Sequence, residues 1–318
     1  MAGEGLGRHP NPEKIFNYSD PGPEVVSVGD FILDKTVPLG DVPEETRDRW
    51  KKEDWFPDQG ESRPVDSVPD EVDKFVDNEF PGGKAANQAL AATLAGSETA
   101  YLGRTSHDPE DLEYMNEKGV NLESVVYENK IENEAYVFID EEGDNRIAAE
   151  IDPSTGLDYL DDVEDVVMDA DYVLLSNGMP TETLEELAAV LEGEGRPEVI
   201  LDPSPVDSVH EVLDSDGIDY VTPNGHEYEQ LSEALQGDYT LVRTSAEGVE
   251  LDKEVFVEAP DVENIVDTTA AGDTFNGYLA AGLAGGANVE EAAERACRAA
   301  STTVQYQGAQ PSIPEIPL

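Results

Sequence analysis

The chain is short of cysteine, histidine, tryptophan and positive charge. Its 318 residues hold one Cys, two Trp and four His, with 19 Lys plus Arg set against 72 Asp plus Glu. A single cysteine, Cys297, excludes an internal disulfide framework and leaves a Cys-based zinc site without a second thiolate. Inside a helical pattern it reads as a small buried hydrophobe. His9, His107, His210 and His226 show no His-x-x-x-His spacing, which sets a zinc hydrolase aside. No apolar run reaches about 18 residues, so no membrane span is expected. The opening MAGEGLGRHPNPEKIFNYSDPGP lacks the apolar core of a signal peptide. Residues 1–23 read as a polar arm, and the expected location is the cytoplasm. The shortage of basic residues also removes the footprint that nucleic-acid binding requires.

What is present in excess is carboxylate, for a net charge of −53. The acids are spread along the chain and alternate with regular apolar periods, the pattern of a solvated surface on a folded core rather than of disorder. Such a surface repels itself at low salt. At molar salt the Debye length falls to about 3 Å and the repulsion is screened. The composition therefore predicts a protein adapted to a very salty cytoplasm. An acidic surface that recruits a cationic partner is the alternative.

Along the chain, short apolar runs alternate with helical periods. EVVSVGDFIL reads as a first strand and AANQALAATLAG as a helix closed by Gly96; DYVLLSN, PEVILDPSP, IDYVTPN and YTLVRTS are further strands. Helical segments such as TETLEELAAVLEGEG and HEYEQLSEAL lie between them, and TFNGYLAAGLAGG and VEEAAERACRAASTTV close the chain as helix on helix. This order predicts an α/β protein with a largely parallel sheet covered on both faces. Residues 35–80, with both tryptophans, and residues 123–151, which alternate around a turn at Glu142-Gly143, break the rhythm. Both are assigned to a small β appendage over the sheet edge, a candidate lid, with a plain surface insertion as the alternative.

The stretch VDTTAAGDTFNGYLAAGL (266–283) places two aspartates and a small-residue turn ahead of an apolar helix. Ala270, Ala271 and Gly272 allow close backbone approach. The first N–H groups of the helix have no intrahelical partners, and the dipole favours an anion there. Asp273 reads either as a first-turn charge, worth about 1 kcal/mol, or as a base that deprotonates a hydroxyl beside a phosphate held on the same turn.

DTTAAGDTFNGYL resembles the second signature of the ribokinase-like (PfkB) family of sugar kinases. PGGKAANQALAATLAG resembles its first signature, TPNGHE its Asn-x-x-Glu motif, and the ending GAQPSIP is similar to the ribokinase branch. The motifs fall in the family's order, and the resemblance covers roughly residues 24–314. It implies a three-layer α/β/α sandwich over residues 24–318 with a β-sheet lid, and an ATP-dependent, Mg²⁺-requiring phosphotransferase acting on a sugar hydroxyl. Asp273 would be the catalytic base, with the N–H groups of Ala270, Ala271 and Gly272 as an anion hole. Gly82, Gly83, Lys84, Asn87 and Asp34, the last at the end of the first strand, would bind the sugar. Asn224 and Glu227 would organise Mg²⁺ and its water, although the pair also fits a helix cap. Asp202 stands where ribokinases carry Asn, near the phosphates, and would repel them unless a cation intervenes. Asp267 and Thr269, with Gly308 and Ser312, resemble a monovalent-cation site suited to K⁺. Thr244, Ser245, Ala246 and Gly248 are candidates for the adenine wall. The resemblance also implies a homodimer through the lid, whose exposed edge and apolar face need covering.

The departures concern the acceptor. Ala85 replaces a glycine and is expected to narrow the sugar site; Ile32 replaces an Asn; LLSNGMP lacks a Glu; Arg243 and Ser245 alter the nucleotide loop. Ribose is the favoured acceptor. A nucleoside, for which Tyr136 and Phe138 either supply a stacking wall or pack in the core or lid, a 2-keto-3-deoxy sugar acid and a fructose phosphate are alternatives. A doubly charged acceptor is disfavoured, because only Lys84 and Arg104 are basic residues placed near. A non-catalytic sensor is weighed against these and set aside because the turn is complete.

Overall fold

A computed structural model describes residues 22–29, 31–105, 109–127, 133–151, 160–176, 178–206 and 209–317. Most of the polar arm expected at 1–23, together with His9 and His107, lies outside the described residues.

EVVSVGDFIL is two strands rather than one. β1 (Val25–Val28) ends at Gly29, whose φ is 148°, and β2 (Ile32–Pro38) enters a different sheet. The connection then runs through α1 (Glu44–Trp50), β3 (Ser62–Pro64) and β4 (Asn78–Gly82) into α2 (Lys84–Ala95). β5 (Thr99–Leu102), β6 (Arg104–Thr105), α3 (Glu113–Lys118) and β7 (Val126–Tyr127) follow, and β8 (Glu134–Ile139) and β9 (Asn145–Glu150) form an antiparallel hairpin. The rest alternates: α4 (Leu160–Met168), β10 (Tyr172–Ser176), α5 (Thr181–Val190), β11 (Glu198–Asp202), α6 (His210–Leu213), β12 (Tyr220–Val221), α7 (Gly225–Leu231), then β13 (Thr240–Ser245), β14 (Gly248–Leu251) and β15 (Val255–Glu258). α8 (Ala271–Ala284) and α9 (Val289–Thr303) pack on each other near the C-terminus.

The main sheet has eight strands in the order β15-β14-β13-β12-β11-β10-β1-β5, parallel from β5 to β13 and antiparallel beyond. Its central strands are apolar on both sides, as a sheet covered on both faces requires. Leu174 and Ile200 point into a core shared with α2, α8 and α9; Val173, Leu175, Val199 and Leu201 point into the opposite core, beneath α4 and α5. The result is the three-layer sandwich the sequence predicts.

The second sheet has five strands in the order β3-β9-β8-β2-β4. β7, within the 123–151 span assigned to the appendage, pairs instead with β6. Successive side chains of a strand face opposite sides, and the register sorts them. Ala135 lies opposite Ala149, and Asn145, Ile147 and Ala149 look into a cavity against the main sheet. Tyr136, paired with Ala148, and Phe138 look the other way. They pack against residues of the segment between β2 and β4: Leu39, Val42, Trp50, Phe56, Val68 and Val72. Trp50, 1% exposed, is the hub, with ring centroids 5.7 Å from Trp55 and Phe75 and 5.9 Å from Phe138. Its indole N–H donates to Glu71 Oε1 at 2.9 Å, which satisfies the one polar atom such a ring buries. The outer face of the second sheet is thus covered by the chain's own insertion.

Candidate active site

The cavity between the two sheets opens where the parallel strands end, the place an open α/β sheet offers a ligand. Ser176 closes β10, Asp202 closes β11, and Thr222, Asn224 and Thr244 follow the same edge; all line the cavity. Two helices start there: α2 contributes Lys84 and Asn87, and α8 contributes Ala271, Gly272, Asp273 and Asn276. The second sheet supplies Ile32, Asp34, Ser62, Pro64 and Asn145. Asp34 is therefore the third residue of β2 and not a strand end. Gly82 lies opposite Ile32 in the pairing of β2 and β4, and a Cβ on it would fall 2.1 Å from Asp34 Oδ2. Glycine is required there for the Asp34 carboxylate to fit.

Asp273 is 6% exposed and held from α2: Asn87 Nδ2 donates to Oδ2 at 2.8 Å and Gln88 Nε2 to Oδ1 at 3.4 Å. The turn before it is strained, with Ala270 in the left-handed region at φ 61°, a conformation that costs an L-residue about 1–2 kcal/mol. α8 begins at Ala271, whose N–H donates to the Thr268 carbonyl at 3.3 Å; that group is therefore not free to meet an anion, which corrects its place in the expected anion hole. The N–H groups of Gly272 and Asp273 are those without an intrahelical acceptor. Asn87, Gln88 and Asn276 each bury an amide oxygen with no protein partner, acceptor capacity that a bound hydroxyl or water satisfies.

Asp202 Oδ2 meets Lys84 Nζ at 3.3 Å and Gln88 Nε2 at 3.2 Å, and Asp202 Oδ1 accepts from the Ser204 N–H at 3.0 Å. Lys84 is thus the cation paired with Asp202 on the cavity wall. Asn224 and Glu227 form a complete capping box on α7, with Glu227 N–H on Asn224 Oδ1 at 2.9 Å and Asn224 N–H on Glu227 Oε2 at 2.8 Å. Both nevertheless line the cavity.

The electrostatics follow from five carboxylates, Asp34, Asp202, Glu227, Asp267 and Asp273, with one ammonium, Lys84, among them. Burial pushes Asp34 well above the usual carboxylate range, and Asp273 and Asp267 push it further. Burial also raises Asp273, with Asp202 adding to it while Lys84, Asn87 and Gln88 pull down. Glu227 is raised by burial and by Asp202, against Lys84. Burial alone would lower Lys84, but Asp202, Asp273 and Glu227 outweigh it and the ammonium is held firmly charged. Carboxylates this short of positive charge fit a hard divalent cation, and Asp202 and Glu227 offer the oxygen donors that Mg²⁺ takes. Among the described residues no group of three or more His, Cys, Asp or Glu could hold a metal by itself, so nucleotide oxygens and water would have to complete such a shell.

Asp267, 1% exposed, accepts from the Thr269 N–H and from the Gly308 N–H, each at 2.9 Å. This brings three of the four cation-site candidates together. Ser312 lies on the next turn with its hydroxyl on the Ala309 carbonyl at 2.7 Å. Between them Gln310 is fully buried with neither amide atom paired, so this segment has polar capacity left for an ion.

Of the nucleotide candidates, Thr244 lines the cavity. Ser245 and Gly248 pair across the β13–β14 hairpin with Ala246 in its turn, outside the cavity wall. Of the two readings open for Tyr136 and Phe138 the packing one holds, and the reading of Ala85 is corrected. Tyr136 and Phe138 face the insertion and offer a ligand no aromatic wall; no aromatic side chain lines the cavity among the described residues. Ala85 packs in the core behind α2, its carbonyl accepting from Ser27 Oγ at 2.8 Å, so it does not narrow the site. Arg104 lies in β6, off the cavity wall, and Asn177 of LLSNGMP lies outside the described residues. Sequence reasoning missed Gln88, Ser176, Ser204 and Asn145. Gln88 and Ser204 carry one signal, in that they neighbour residues already singled out.

Residues 62–316 match the family model described as pfkB family carbohydrate kinase. The chain is 34% identical to the ribokinase of Bacillus subtilis over 254 residues, 74% of this chain and 84% of that one. Among solved structures, the Arabidopsis thaliana ribokinase complexed with ribose and ATP superimposes with a TM-score of 0.69 at 24% identity, over 92% of this chain and 96% of that one. An adenosine kinase from Sinorhizobium meliloti gives 0.74 at 21%, over 91% and 96%. These two likenesses speak to the fold alone. The family match and the identity to a full-length ribokinase decide the matter: the chain belongs to the pfkB family of carbohydrate kinases, phosphotransferases that take an alcohol group as acceptor.

Proposed function

We propose that the chain moves the γ-phosphoryl group of ATP to the hydroxymethyl group of a small sugar, ribose first, with Asp273 as base. The observation that carries this reading is the place of Asp273: buried, oriented by Asn87 at 2.8 Å, and one residue beyond a turn whose N–H groups point out of a helix start. Phosphoryl transfer asks for alignment and charge stabilisation more than for covalent help. Asp34, Lys84 and Asn87 would hold the sugar, with Gly82 and Gly83 letting the backbone come close. Asp273 would take the hydroxyl proton, and the amides of Gly272 and Asp273 would receive the charge of the moving group. Mg²⁺, when bound with the nucleotide, supplies neutralisation of the phosphates, with Asp202 and Glu227 as the residues placed to hold it. K⁺ is assigned to the loop of Asp267, Thr269, Gly308 and Ser312. A wall with no aromatic side chain among the described residues supports a free sugar over a nucleoside, and Lys84, its one basic residue among them, disfavours an acceptor with its own phosphate. ADP release measured in molar KCl tests this. Ribose is expected to stimulate it at least tenfold more than adenosine, fructose 6-phosphate or 2-keto-3-deoxygluconate. A different leader in that panel would reassign the acceptor; no stimulation by any would end the kinase reading.

The charge of −53 supports a protein of a salt-rich cytoplasm. Among the described residues no helix is long and apolar enough to cross a membrane. The homodimer expected through the lid loses one of its two reasons, since the apolar face carries the chain's own aromatic cluster and only the sheet edge at β3 and β4 is left to argue for a partner. We therefore expect gel filtration in molar KCl to give a monomer of 34.4 kDa; elution at twice that mass, abolished by charges placed on the second sheet, would restore the dimer.

A further inference from the structure

We propose that Asn145 is a positioning residue that ties the second sheet to the turn ahead of Asp273, so that covering the site and setting the turn are one event. The role rests on the phosphoryl-transfer reading, but the contact stands on geometry. Asn145 opens β9 and lines the cavity, and its Nδ2 donates to Thr269 Oγ1 at 2.8 Å across 124 residues of sequence. Thr269 immediately precedes Ala270, the left-handed residue at φ 61°. A backbone in that region persists only where its surroundings hold it. Thr269 is held twice: its N–H by Asp267 Oδ1 at 2.9 Å, and its hydroxyl by Asn145. The next residue's carbonyl accepts the Thr274 N–H at 2.8 Å and so begins the helix that carries Asp273.

Asn145 is itself fixed from behind. Its carbonyl accepts the Gly60 N–H at 2.8 Å, and the Ile147 N–H donates to the Glu61 carbonyl at 2.8 Å, so the inserted segment braces this end of β9. The hairpin tip abuts the same target: a Cβ on Gly143, at φ 85°, would lie 3.2 Å from the carbonyl oxygens of both Ile265 and Val266. Two neighbouring points of the β8–β9 hairpin thus meet residues 265–269, and only one of them is a side-chain bond that a substitution can remove.

The test uses Asn145→Ala and Thr269→Val, singly and together, with Thr269→Ser as the conservative change. Each of the first two is expected to lower kcat/KM for ribose by about 10- to 100-fold, the range that an ångström of misplacement costs. Nucleotide affinity without acceptor should stay within about threefold. Because both changes break one bond, the double variant should lose no more than about threefold beyond the worse single, and Thr269→Ser should keep most of the turnover. Independently of any activity, hydrogen exchange in Asn145→Ala should quicken in both 140–147 and 265–272 at an unchanged Tm. Wild-type turnover in Asn145→Ala, losses that multiply in the double variant, or faster exchange confined to 140–147 would each overturn the proposal. Absence of turnover in the parent chain would instead count against the acceptor reading and leave the exchange result to decide this one.

Discussion

Asp273→Asn loses acceptor-dependent turnover by about 10²- to 10⁴-fold, the range of a positioned general base, while it still binds ATP and stays folded. The amide is isosteric, and Asn87 and Gln88 can still orient it from α2 once one of them flips so that its free amide oxygen accepts from the new NH2, but it cannot accept the proton of the attacking hydroxyl. Its stability should move the other way. Burial raises the folded-state pKa of Asp273, with Asp202 reinforcing it. A carboxyl raised on folding contributes stability below its unfolded pKa, and that stability is lost as pH rises through the folded value. Above the folded value the ionised group is therefore a liability, and Asn in its place should leave Tm there equal or higher. Single-turnover kinetics and a melting curve on the same preparation check both halves. Turnover within tenfold of the parent enzyme would remove Asp273 from the chemistry.

Lys84→Met has the second largest effect, through two routes. Lys84 is the cation facing Asp202 at 3.3 Å, and it pulls against the rise in Asp273 and Glu227. Without it Asp202 loses its paired ammonium and the site its one cationic side chain, so KM for ATP is expected to rise. Asp273 also loses its main downward influence, so its pKa climbs further. The base must be ionised to work, and the acid limb of the kcat profile is expected to move toward neutral pH. A loss of about 10²- to 10³-fold in kcat/KM is in line with removing one charged group from a transition-state clamp. A pH–rate profile with an unmoved acid limb would show that Lys84 does not act on Asp273.

The turn at 266–273 was legible because its parts are adjacent: small residues, a carboxylate and an apolar helical period need no tertiary knowledge to be placed together. The parallel sheet was legible for a similar reason, since its buried strands are short apolar runs between helical periods. The division of EVVSVGDFIL between two sheets was not, because a continuous apolar run carries no mark of which sheet each half joins. Alternation in EAYVFI separates Tyr136 and Phe138 from Ala135 and Val137, yet it cannot say which side looks into the cavity. That choice is made by Trp50, Phe56 and Phe75, whose spacing follows neither helix nor strand period. Asn145 gave no signal at all: its partner lies 124 residues away. The acceptor side of the site depended most on such long-range placement, which is why the narrowing expected at Ala85 did not follow and the stacking wall weighed for Tyr136 and Phe138 gave way to packing; at the turn, whose parts are adjacent in sequence, only the Ala271 N–H had to be withdrawn.

Trp50 and Trp55 are the only tryptophans in the chain, and they stand 5.7 Å apart behind the second sheet, with none in the main sandwich. Intrinsic emission excited at the red edge therefore comes from that one subregion. A spectral shift on adding sugar or nucleotide would report rearrangement of the cover without any attached dye, and loss of the signal on lowering salt would time the melting of this part apart from the rest.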